Sequence, residues 1–145
     1  MVYQSKKAFV LLIPNVVIFF YLYLDNLNKL HSNQQDFLSL WGVFFFKLLV
    51  VLVITNIIVL IIFNLFNNMF SKNKAPTISD ERDRLIELRA VRNLCFIFAF
   101  GFFLAMAAIA IHQPISTMFT ILAFTILVSV FVSYASYIFY YERGY

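Results

Sequence analysis

Four long apolar runs constrain this chain more than any other feature. They read "AFVLLIPNVVIFFYLYL" from Ala8 to Leu24, "LWGVFFFKLLVVLVITNIIVLIIFNLF" from Leu40 to Phe66, "LCFIFAFGFFLAMAAIAI" from Leu94 to Ile111, and a fourth from Thr117 to Tyr141. A bilayer's hydrocarbon core takes roughly 17–25 residues of helix to cross, so each run is long enough. Inside lipid no water can pair a free backbone N–H, so each run is expected to be a helix despite its β-branched and aromatic residues. The chain is 63% hydrophobic, where soluble domains sit near roughly 45–50%. The expected fold is therefore all-α: four transmembrane helices forming two antiparallel hairpins in one domain over 1–145. The first run could also be a secretory signal peptide, but it ends in "YLYLDN" with no small-residue cleavage site and holds Pro14. It is read as a retained span, with Pro14 in its first turns, where a missing N–H costs least.

Basic residues set the expected orientation. With four spans, the termini and the middle loop share one side, which holds Lys6, Lys7, Lys72, Lys74, Arg82, Arg84, Arg89, Arg92 and Arg143. The other side holds Lys29, and Lys47 lies within the second span. This asymmetry places both termini on the cytoplasmic side of the membrane. Tyr21, Tyr23 and Trp41 are then expected at the outer interface, and Tyr140 and Tyr141 at the inner one. The turn "HQPIS" is short enough to force the last two spans antiparallel. The outer loop "DNLNKLHSNQQDFLS" is polar and without clear structure, and "NNMFSKNKAPT" from Asn67 to Thr77 reads as a linker.

The spans carry few candidates for chemistry. Lys47 is the one ionisable residue well inside a run, and such a charge marks an ion or proton path by default. No intramembrane carboxylate is at hand to pair with it, so the expectation is that its stem snorkels outward or that it meets Tyr21 or Tyr23. Asn15 and Asn56 lie at similar depth, where an interhelical hydrogen bond contributes roughly 0.6–2 kcal/mol. His31 and His112, with Asp25 and Asp36, come from different loops without ligand spacing, so no metal site is expected. Cys95 has no histidine on its side to act as base and is read as a small apolar filler. Gly101, Ala105 and Ala108 align on one helix face, and Thr125, Ser129, Ser133 and Ser136 on another. Such stripes let membrane helices approach closely within one chain, with a homo-oligomer interface or the lining of a small polar cavity as alternatives.

One block stands apart: "SDERDRLIELRAVRN", Ser79 to Asn93, holds eight charged residues. Thr77 and Asp80 fit a capping box, and Asp80, Glu81 and Asp83 suit the positive end of a helix. Asp80 to Arg84, Glu81 to Arg84 and Arg84 to Glu87 are spaced for ion pairs, and Arg89 and Arg92 fall beside the lipid headgroups. Leu85, Leu88 and Val91 form a narrow apolar stripe, with Ile86 and Ala90 beside it. The block reads as a cytoplasmic helix, about 79–93, that prolongs the third span.

"DERDRLIELRAVRN" before the third span, with "YYERGY" after the fourth, resembles a family of small bacterial and archaeal membrane proteins of unknown function. The matching positions are Asp80, Glu81, Arg82, Asp83, Ile86, Glu87, Ala90, Arg143 and Gly144. The likeness covers Ser79 to Tyr145, and Glu142 departs from it where a second basic residue is usual. The resemblance implies a companion of small helix-turn-helix regulators. The expectation is thus a non-enzymatic membrane protein without a cofactor, binding no nucleic acid directly. It would dock a cytoplasmic regulator through Asp80, Glu81, Arg82, Asp83, Arg84, Glu87 and Arg89. The alternative is a small oligomeric transporter, channel or immunity-type protein.

Overall fold

A computed structural model describes residues 3–32, 37–70 and 81–143, and within them stand four helices: α1 (Tyr3–Ser32), α2 (Phe37–Phe70), α3 (Glu81–Ala110) and α4 (Ile115–Arg143). Each contains a stretch long and apolar enough to cross a membrane. Residues 67–70, expected to open the linker, instead close α2, while the rest of the linker, the Thr77–Asp80 capping box and Gly144 lie outside the described residues.

Helices α1, α2 and α4 outrun their apolar runs at both ends, and α3 outruns its run at the start. The largest correction is to the outer loop, because α1 continues to Ser32 and α2 begins at Phe37. Asp25, Asn26 and Lys29 therefore sit on helix, with Lys29 ion-paired to Asp25 one turn away. Pro14 lies inside α1 rather than in its opening turns. Its ring removes the donor that would meet the Val10 carbonyl, a loss that membrane helices tolerate through neighbouring helices.

The helix α4 is central. It packs along α3 on one side and α1 on another, while α2 packs mainly on α1. Along α3 and α4, Asp83 meets Tyr141, Asn93 meets Ser136 and Gly101 faces Thr125, so the two run antiparallel. Their turn closes as a Schellman motif: Gln113 N–H donates to the Ala108 carbonyl at 3.0 Å and His112 N–H to that of Ile109 at 2.9 Å. His112 takes the left-handed conformation at φ 61°, a place where glycine is usual, and Pro114 follows where a helix cannot continue.

An aromatic core fills the end of the bundle away from the arginines. Trp41 stacks on Phe119 at 5.5 Å between ring centroids, and Phe44 contacts Phe19, Tyr23 and Trp41 edge-on. Trp41 is buried in this core, and Tyr23 packs on Phe19, Phe44 and Phe124. Neither belongs to an interfacial belt, and of the three expected outer aromatics only Tyr21 is exposed. A ring's depth follows from its position along the helix. Which way it faces depends on helix rotation, and here that turns Trp41 inward.

Candidate functional site

From Glu81 to Asn93 the charged block forms the opening turns of α3, and these lie against the last turns of α4 rather than standing free. Asp83 accepts a hydrogen bond from the Tyr141 hydroxyl at 2.8 Å, and Tyr137 stacks on Tyr141. One turn on, Ile86 and Ala90 are buried, and Asn93 donates to the Ser136 hydroxyl at 3.0 Å. Arg89 lies over the Tyr140 ring and Arg143 over Phe139, at 5.8 and 4.5 Å from the centroids. Two polar clamps and a small apolar seam thus fix the rotation of this segment.

That rotation decides what remains outside. The seam runs through Asp83, Ile86, Ala90 and Asn93, the spacing of one helix face. Leu85, Leu88 and Val91 turn away from α4 and are 56%, 58% and 47% exposed. Around them Glu81, Arg82, Arg84, Glu87, Arg89 and Arg92 are exposed as well. Of the residues expected to meet a partner, Asp83 is engaged by Tyr141, and Asp80 lies outside the described residues. The expected pairs of Arg84 with Glu81 and Glu87 are not closed; among the described residues the salt bridge is Lys29–Asp25. Exposed pairs of this kind gain only about 0–1 kcal/mol, too little to hold two long side chains in place.

Replacing Tyr141 with phenylalanine removes the donor to a carboxylate, a bond of about 1.5–3 kcal/mol. Amide exchange over residues 81–90 is expected to quicken about tenfold or more, while residues 101–110 keep their protection. Equal exchange in both proteins would show that the Tyr141–Asp83 contact does not hold the segment.

Deeper in the bundle, the structure brings Asn15 and Asn56 together: the Asn15 amide donates to Asn56 Oδ1 at 3.1 Å. Tyr134, which sequence reasoning missed, joins them from α4, its hydroxyl donating to Asn56 Oδ1 at 3.4 Å. A cavity of about 180 Å³ opens beside this triad, lined also by Ser133 and Tyr137. A second of about 190 Å³, with Lys7 at its edge, shares Tyr134 and Tyr137 with the first. The triad stitches α1, α2 and α4 together, and the aromatic core occupies the interior beyond it.

The small-residue stripes divide their tasks. Gly101, Ala105 and Ala108 are buried on α3, and Thr125 and Ser129 are buried on α4. Ser133 turns to the cavity beside Asn15, and Ser136 to Asn93. Cys95 is exposed and fills no gap. Lys47 makes no ring contact with Tyr21 or Tyr23; it lines a narrow groove with Asp25, Asn26 and Lys29. The extension of α1 thus brings a carboxylate into that groove, where none was expected. Among the described residues, no three of His, Cys, Asp and Glu are grouped to hold a metal. No family model, curated protein or solved structure matches the chain.

Proposed function

We propose that this multi-pass membrane protein is a non-enzymatic docking platform. It lies in a bacterial or archaeal cytoplasmic membrane with both termini inside, and it holds a soluble regulator on the outward face of the charged helix. The observation that carries the reading is the exposed stripe of Leu85, Leu88 and Val91. Exposed apolar residues on the spans face lipid and call for no partner. These three lie in a segment whose charges keep it out of hydrocarbon, so they stand in water unless something covers them.

Four exposed arginines, Arg82, Arg84, Arg89 and Arg92, outweigh Glu81 and Glu87 around the stripe, so the complementary partner is an amphipathic helix whose flanks are acidic on balance. A small helix-turn-helix regulator, the partner implied by the family likeness, fits that description. The clamps at Asp83 and Asn93 favour such binding because a face already held in place loses less freedom on docking. Transport is the weaker reading: the cavity beside the polar triad is lined toward the arginine-rich end by Leu94 and Tyr137, and stacked aromatic rings occupy the bundle on its other side.

A photo-crosslinking amino acid at position 88, in cells that naturally make the protein, tests the proposal. One discrete soluble protein is expected in the adduct, reduced at least about tenfold by Arg84→Glu with Arg92→Glu. The same probe at the lipid-facing Phe103 should capture lipid alone. Adducts from position 88 that contain only lipid, or only a second copy of this chain, would sink the docking reading.

A further inference from the structure

The groove beside Lys47 is a second site, independent of the docking face. It lies between α1 and α2 at the end of the bundle away from the arginine-rich segment, and holds about 30 Å³. Asp25, Asn26, Lys29 and Lys47 line it, with Phe44 as an apolar wall. Lys29 is neutralised by Asp25. Lys47 has no ion-pair partner among the described residues, although it sits about 9 Å below Trp41 at 1.5 Å per residue.

Asn26 makes this more than a stray lysine. It is 4% exposed, and its Nδ2 has no hydrogen-bond partner among the described residues. A buried amide left unpaired costs about 1–3 kcal/mol, and a lysine within a span costs up to about 3 kcal/mol, the insertion-scale value at a helix centre. The two deficits have the same sign. An ammonium and an amide N–H₂ are both donors, so one acceptor with negative charge relieves both. A water molecule would satisfy Asn26 but leave Lys47 unneutralised.

We propose that Lys47 and Asn26 bind a phosphate-type oxyanion presented by a phospholipid headgroup. The space admits the oxygens of a group anchored outside it. Lys47 is itself exposed, so its stem can carry the ammonium along the helix to the level of the headgroups. With Asp25 counted against Lys29 and Lys47, the groove carries one net positive charge. An anionic headgroup such as phosphatidylglycerol is therefore preferred over a zwitterionic one, which brings a cation of its own.

Native mass spectrometry of the purified full chain, titrated with phosphatidylglycerol, phosphatidylcholine or inorganic phosphate, tests this. One phosphatidylglycerol is expected to be retained in preference to phosphatidylcholine. Lys47→Leu and Asn26→Leu should each weaken that retention about tenfold, the worth of one charge-assisted bond. Lys47→Arg should keep it, and also shows that the position tolerates substitution. Asp25→Asn, which raises the groove's charge, should tighten binding. Leu88→Asp should leave it unchanged, which separates this site from the docking face. Equal retention by Lys47→Leu and wild type would overturn the proposal. Competition by inorganic phosphate as effective as the lipid would replace a headgroup with a free ion, and lost retention in Asp25→Asn would make Asp25 part of the lipid's cradle; either result overturns the site as stated.

Discussion

Replacing Gly101 with valine is expected to separate α3 from α4 and release the docking helix from its seat. A Cβ at position 101 would stand 2.7 Å from the Thr125 Cβ and overlap that residue's Oγ1 and Cγ2. Thr125 has no easy retreat, because its hydroxyl donates to the Ile121 carbonyl at 2.7 Å and its χ1 is confined within a helix. Overpacking a tight site costs about 1–3 kcal/mol, and valine adds two methyls beyond the clash already made by alanine. Lipid supplies no hydrophobic drive to push the pair together again, since association in a bilayer rests on close packing and hydrogen bonds. The consequences should reach about two to five turns away: the Asn93–Ser136 and Asp83–Tyr141 bonds belong to the same helix pair, so protection of residues 81–90 should fall with the melting temperature. Gly101→Ala should fall between valine and wild type. A second substitution, Thr125→Gly, should restore most of the loss, and Thr125→Ala less, because its Cβ remains in the way. Gly42→Ala is the control, with nothing within 4 Å of the added carbon. Wild-type melting and exchange in Gly101→Val would mean that the helices do not approach so closely here.

Depth along a helix was legible in the residues; rotation about its axis was legible only in places. The apolar runs gave the four helices, and equal depth gave the pairing of Asn15 with Asn56. Tyr134 escaped notice because its hydroxyl joins that pair only if α4 turns it toward α1 and α2. The charged block shows how rotation could have been read. The face marked by Gly101, Ala105 and Ala108 must meet α4, and three turns back it passes through Ala90, then Ile86. That places Ile86 and Ala90 on the seam and turns Leu85, Leu88 and Val91 outward. Asp83 lies on the same face, which is why it meets Tyr141 instead of remaining available to a partner. The end of α1 was hidden for another reason. "DNLNKLHS" is too polar to read as part of a span, yet α1 continues through it, and that brings Asp25 and Asn26 beside Lys47.

Trp41→Ala should be comparably damaging, through a different link. The backbone of α2 packs mainly on α1, so its hold on α4 rests on side chains: the Asn56–Tyr134 bond toward one end, and toward the other Phe119, stacked by Trp41 and flanked by Phe37 and Phe45. Trp41 also meets Phe44 edge-on at 5.6 Å, and Phe44 carries the contact onward to Phe19 and Tyr23 of α1. In water, truncating such a residue costs about 3–5 kcal/mol. In a bilayer the transfer part largely vanishes, leaving lost ring contacts and the cavity, so about 2–3 kcal/mol is expected. Because Phe44 also walls the groove beside Lys47, Trp41→Ala should weaken phosphatidylglycerol retention, linking the aromatic core to the lipid site. Trp41→Phe should be mild, since the indole N–H has no hydrogen-bond partner to lose among the described residues. The protein's single tryptophan makes the burial directly measurable. An indole packed between Phe119 and Phe44 should resist quenching by aqueous acrylamide and by lipids brominated near the headgroup alike. An interfacial anchor would be quenched by the lipid, and Trp41→Phe would then cost nearly as much as Trp41→Ala. That pair of results would return Trp41 to the membrane surface and leave α2 joined to α4 through Asn56 and the rings of Phe37 and Phe45 on Phe119.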